Sequence, residues 1–170
     1  MRILALRLAP VWLTVVIAQV AIFPNLRLFG VVPDLGLVAA VAVAYREGPE
    51  AGAIFGFFAG LMFDLFVETP TGLSALAYAL CAYLVGSLER GLLRRGRWLP
   101  SFLGLAGGLA GGLVFLAVGI LAGVDGLASG EALWVQVRVA SYDGLIAPLA
   151  FALVALALRG EEVSWRFRDA

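Results

Sequence analysis

Residues 33–89 read PDLGLVAAVAVAYREGPEAGAIFGFFAGLMFDLFVETPTGLSALAYALCAYLVGSLE. The stretch holds three apolar runs, parted by short charged or turn-forming breaks. One carboxylate, Asp64, lies inside an apolar run, and glycines precede it at four-residue steps. A charged side chain facing acyl chains is costly, and small residues at this spacing let helices approach closely. Asp64 is therefore expected to face protein, on a helix packed within a membrane bundle.

Composition points the same way. Of 170 residues, 62% are hydrophobic, against about 45–50% in soluble domains. Mean hydropathy is +1.00, and only 14% of residues are charged. A soluble core of this length cannot bury so much apolar surface, so the bilayer is the solvent for most of it. One integral membrane domain over residues 1–170 is expected, with no sizeable soluble domain.

Several function classes drop out. Every basic residue is Arg and the formal net charge is zero, which leaves nucleic-acid binding without an electrostatic basis. There is no His, hence none of the commonest acid/base side chain or metal ligand. Cys81 is the one cysteine, so it has no intrachain disulfide partner and reads as a small core residue. No P-loop, GxSxG or HExxH occurs. An intramembrane aspartyl enzyme needs two facing acids, and only Asp64 is even moderately deep. No catalytic residue, cofactor or metal is expected.

The N-terminus, MRILALRLAPVWLTVVIAQVAIF, has the look of a signal peptide, but it is long and lacks a convincing cleavage site. It reads as a retained first transmembrane helix. Six apolar segments follow one another, at about 8–23, 35–45, 51–67, 73–88, 102–124 and 142–158. The second is short for a crossing. Pro33 interrupts its approach and Asp34 suits an N-cap, so this helix is expected to be short, kinked or preceded by a re-entrant stretch. Residues 133–139 read as a separate interfacial piece. The fold class is thus an all-α integral membrane protein, a bundle of about six transmembrane helices.

Arginine placement orients the bundle. With both termini inside, the inner side receives Arg2, Arg7, Arg46, Arg90, Arg94, Arg95, Arg97, Arg159, Arg166 and Arg168, and the outer side only Arg27 and Arg138. This asymmetry follows the positive-inside rule and supports six crossings, N-in/C-in. The loop of Arg90, Arg94, Arg95 and Arg97 is expected to be cytoplasmic, serving topology and anionic headgroups or docking a cytoplasmic protein. Trp12, Trp98, Trp134 and Trp165 fall near segment ends and suit interface anchoring.

Gly52, Gly56, Gly60 and Asp64 step by four, and Gly104, Gly108 and Gly112 repeat the pattern. Both stripes read as faces for helix packing or for a partner. Asp64 has two readings. It is a proton, ligand or partner site, or it hydrogen-bonds hydroxyls of neighbouring helices near the outer interface. Asp34, Asp64, Glu68 and Asp143 all fall near the outer side, with Asp34 and Asp143 as candidate polar contacts there. Arg138 and Asp143, five apart, form an interfacial pair if that region is helical.

The chain resembles the MreD family of rod shape-determining proteins. The matching residues are Pro33-Asp34 opening a short apolar run, Arg46-Glu47-Gly48 ending it, and Gly52-Ala53-x-x-Gly56-Phe57 leading to Gly60-Leu61-x-x-Asp64-Leu65. Pro70-x-Gly72-Leu73-Ser74-Ala75-Leu76 and Tyr83-Leu84-Val85-Gly86 follow. The resemblance implies a multi-pass protein of the bacterial inner membrane and a non-enzymatic scaffold of the elongation machinery, the elongasome. Its implied partners are membrane lipid, an MreC-like protein, MreB, RodZ, RodA and a class B penicillin-binding protein, and its implied task is to position lateral peptidoglycan synthesis. The family is also similar to the membrane substrate-binding subunits of energy-coupling-factor transporters, which supplies the alternative of a vitamin-like ligand.

Overall fold

The computed structural model describes residues 2–27, 30–66, 71–92, 96, 98–124 and 126–158, without the side chains of 2–5 and 89–92. Regular structure among them is helical: α1 Arg2–Ile17, α2 Leu35–Glu47, α3 Pro49–Asp64, α4 Leu73–Leu92, α5 Leu99–Leu121 and α6 Gly130–Leu158. Helices satisfy their backbone polar groups internally, as hydrocarbon requires. Three stretches are long and apolar enough to cross a membrane: Leu6–Asn25, Leu99–Leu121 and Gly130–Leu158. A shorter apolar stretch, Leu73–Leu88, lies in α4.

The second helix organises the bundle. α2 has 13 residues, a rise of about 20 Å against a hydrocarbon core of about 30 Å. It is short, as expected, and an irregular stretch with Val31 and Pro33 buried leads into it. Leu35 through Ala44 are all buried, without a lipid-facing side. The run of Ala and Val makes a slender cylinder, and all five other helices pack on it. At its far end Gly48 takes φ +100°, a conformation that disfavours a Cβ. Pro49 then opens α3 at a position where no backbone donor is needed.

Segment boundaries shift in two places. Residues 133–139 are not a separate interfacial piece, because α6 runs unbroken for 29 residues. That is about 44 Å, longer than a hydrocarbon core, so its polar first turns stay helical beyond the apolar layer. The first helix starts at Arg2 and changes character after Ile17, becoming a π-helical turn over Ala18–Ile22 and a 3₁₀ turn over Phe23–Asn25. Trp98 and Trp134 are exposed, as interface anchors should be. Trp12 instead packs against the core from within α1. Trp165 lies outside the described residues.

The outward surface is apolar. Leu13 and Ile17 of α1, Phe57 and Phe58 of α3, and Leu145 and Leu149 of α6 are all exposed. Such a belt suits acyl chains.

Candidate functional site

The polar groups of the interior gather where the chain enters α2. The π-helical turn inserts an extra residue into the first helix and brings Gln19 to the inside. Gln19 then clamps the Pro33–Leu35 turn from both sides. Its Nε2 donates to the Pro33 carbonyl at 3.0 Å, and its Oε1 accepts from the Leu35 N–H at 2.8 Å. Between these two residues, the Asp34 N–H donates to Oδ1 of Asp143 on α6 at 2.6 Å. Asp34 itself N-caps α2, its Oδ1 accepting from the Leu37 N–H at 3.0 Å. Backbone with no secondary structure is thereby kept satisfied inside the bundle.

Asp143 therefore turns inward to Asp34 and does not form the interfacial pair expected with Arg138. It is completely buried, whereas Arg138 directs Nε to the Trp134 carbonyl at 3.4 Å. The second oxygen of Asp143, Oδ2, has no hydrogen-bond partner among the described residues.

Asp64 closes the turn between α3 and α4. Its carboxylate accepts from the backbone N–H groups of Gly72 at 2.8 Å, Ser74 at 3.1 Å and Ala75 at 3.3 Å. These amides lie at the start of α4 and have no partner within the helix. Negative charge at this end also complements the helix dipole. Among the described residues its partners include these main-chain amides.

The two glycine stripes lie at helix crossings within the chain. A Cβ at Gly56 would stand 3.0 Å from the Tyr78 backbone and 3.1 Å from Ala40, and one at Gly60 would stand 2.5 Å from the Ser74 carbonyl. Gly52 faces Ala44 as closely. The α3 stripe thus meets α2 and α4. On α5, Gly104 and Gly108 press on Asp143, Ala147 and Ala140 of α6, and Gly112 on Gln136. Gly107 and Gly111 form a second face, against Val41 and Leu37 of α2. These faces are filled by the chain's own helices.

Beside the Asp34–Asp143 contact lies a cavity of about 330 Å³. Tyr78 on α4 forms part of its wall, with its ring stacked on Phe63 at 6.4 Å between centroids. The Tyr78 hydroxyl is buried and makes no hydrogen bond of good geometry, though the Asp34, Asp64 and Asp143 carboxylates lie near enough to act on it electrostatically. Two of the four acids assigned to the outer side, Asp34 and Asp143, thus share the wall of this cavity with Tyr78. Glu68 lies outside the described residues, as do Arg94, Arg95, Arg97 and the side chain of Arg90. Among the described residues no group of three His, Cys, Asp or Glu could hold a metal ion. The chemistry on offer is negative charge and hydrogen-bond acceptance at the edge of a cavity.

Gln19 escaped the sequence reading, and Gln136 entered it only as part of the interfacial piece. A lone amide within an apolar helix was the available signal for Gln19, since a polar side chain at that depth needs an internal partner.

The family profile described as rod shape-determining protein MreD matches residues 2–129. The match takes in all of the chain through α5 and ends just before α6. No curated protein sequence matched the chain, and no solved structure did.

Proposed function

The chain belongs to the rod shape-determining protein MreD family, and on that premise we propose that it is a non-enzymatic membrane scaffold of the cell-shape machinery. The single observation that carries this reading is the family match across most of the chain. The scaffold binds the membrane region of an MreC-like protein and helps position lateral peptidoglycan synthesis. MreB, RodZ, RodA and a class B penicillin-binding protein complete the assembly. The protein sits in the bacterial inner membrane as a multi-pass bundle, N-in/C-in, by the asymmetry of its arginines. Its architecture is similar to that of the substrate-binding subunits of energy-coupling-factor transporters.

A scaffold needs a rigid body and a free outer surface. Rigidity follows from glycines that bring helices into backbone contact. The free surface is the apolar belt that includes Phe57, Phe58, Leu145 and Leu149. Close helix packing supplies most of the association energy, because lipid gives no hydrophobic drive between helices.

Co-expression with an MreC-like partner tests the reading. The partner is expected to co-purify with the chain, and the free chain is not expected to retain a vitamin-like ligand. A tightly held vitamin with no co-purification would replace the scaffold by the transporter-subunit alternative. Topology is checked by labelling Gly96→Cys in a Cys81→Ala background. Labelling from outside the cell would overturn the N-in arrangement.

A further inference from the structure

We propose that the cavity beside Asp143 binds a primary ammonium group, of the kind carried by an ethanolamine headgroup or a free ethanolamine ester. The site is built around one acceptor that the fold leaves unused. Asp143 is completely buried. Its Oδ1 is occupied by the Asp34 amide, while Oδ2 has no partner among the described residues. Oδ2 lies over Gly108, close enough that a Cβ there would stand 2.6 Å from it, and both residues line the cavity. The Tyr78 hydroxyl, also buried, belongs to the same wall and faces the Asp34 carboxylate, its oxygen keeping room to accept.

The chemistry of these groups selects the ligand. A carboxylate oxygen accepts only, and a primary ammonium brings three donors and a positive charge. One N–H reaches Oδ2 of Asp143 and another the Tyr78 oxygen. A buried carboxylate without a countercharge is costly, and a cation at Oδ2 offsets that cost. The rings of Tyr78, Phe63 and Phe115 in the wall present faces that attract cations. A quaternary ammonium has no N–H to give, so it cannot hydrogen-bond Oδ2. A bare metal ion is disfavoured because no described cluster supplies enough ligands.

The opposite charge has a place as well. Arg27 lines the same cavity and is exposed, whereas Asp143 is fully covered. A cation held deep and an anion held at the edge describe a zwitterion, and guanidinium matches phosphate in geometry. At about 330 Å³ the cavity lies at the lower end of small-molecule sites, enough for a phosphoethanolamine group. This inference needs no protein partner and stands apart from the scaffold reading.

Two arms test it on the purified full chain. In detergent, the protein is titrated with O-phosphoethanolamine and, as the matched quaternary probe, O-phosphocholine. In parallel, native mass spectrometry follows which lipid the protein retains from vesicles of equal parts phosphatidylethanolamine and phosphatidylcholine. Binding of the soluble ethanolamine ester over the choline ester identifies a free amine as sufficient. Selective retention of phosphatidylethanolamine alone identifies the lipid headgroup, and either result supports the site. Asp143→Asn keeps an oxygen for the Asp34 amide and is expected to weaken the favoured probe about ten- to a hundredfold. Val139→Phe, which fills the cavity and spares the carboxylates, is expected to block the same probe. Equal binding of the ethanolamine and choline forms, no binding in either arm, or undiminished binding in both variants would overturn the proposal.

Discussion

The α3–α4 turn and the junction of α2 with α6 each bury an aspartate, and they use it differently. At the first, both oxygens of Asp64 are engaged by amides that open α4. At the second, Asp143 gives one oxygen to the Asp34 amide and keeps the other beside a cavity. The same side chain, equally far from water, completes a fold in one place and leaves an acceptor over in the other. Burial of an acid in an apolar bundle is therefore no mark of function by itself. What separates the two is how many lone pairs the protein satisfies, and whether space adjoins those it does not.

Substitutions at four positions press on that difference. The largest effect is expected at Gly60→Leu, which drives a side chain into the Ser74 carbonyl at the very turn that Asp64 closes. The cost should be about 3 kcal/mol or more, read as lost monodisperse protein and a collapsed melting temperature in detergent. Wild-type behaviour would mean that α3 and α4 are not in backbone contact.

Asp64→Ala comes next. It strands the amides of Gly72, Ser74 and Ala75, at about 2–3 kcal/mol. Asp64→Asn should also destabilise, because its NH₂ would confront donors. Equilibrium unfolding in mixed micelles measures both.

Gln19→Leu removes the clamp on the Pro33 carbonyl and the Leu35 amide, with an expected loss of about 1–2 kcal/mol. Hydrogen exchange at Leu35 should quicken selectively. An unchanged rate there would show that the turn is held by Asp143 alone.

The smallest effect is expected at Asp143→Asn. An acceptor survives for the Asp34 amide and an uncompensated buried charge is removed, so stability should move by less than about 1 kcal/mol in either direction. Side by side with Asp64→Asn in the same unfolding assay, this is the sharpest form of the comparison. Equal losses in the two variants would erase it.

Much of the architecture was written in local pattern. Glycines at four-residue steps announced close crossings, and Pro33-Asp34 announced the start of α2, where Asp34 does cap the helix. The continuity of α6 was harder to read. Trp134, Gln136 and Arg138 look like an interface in a hydropathy profile, yet a helix keeps its hydrogen bonds across a change of solvent. The Asp34–Asp143 bond joins residues 109 apart in the chain, and no periodicity carries such a pairing. The setting of Tyr78 was hidden for a related reason. In the sequence this residue is an aromatic in an apolar run, and only the fold sets it in one cavity wall with Asp34 and Asp143.

One bond has a consequence for how the protein is made. The Asp34 amide precedes α2, and its acceptor lies on α6, which leaves the ribosome after the five helices before it. Until α6 enters the membrane, the entry to α2 keeps a donor without the acceptor that α6 supplies. The early helices can pair beforehand through their glycines, but the turn they surround stays provisional. Maturation of the amino-terminal half is thus tied to completion of the carboxy-terminal one. A chain abandoned before α6 would carry that open donor as a chemical sign of its incompleteness, exposed to the quality-control proteases of the membrane.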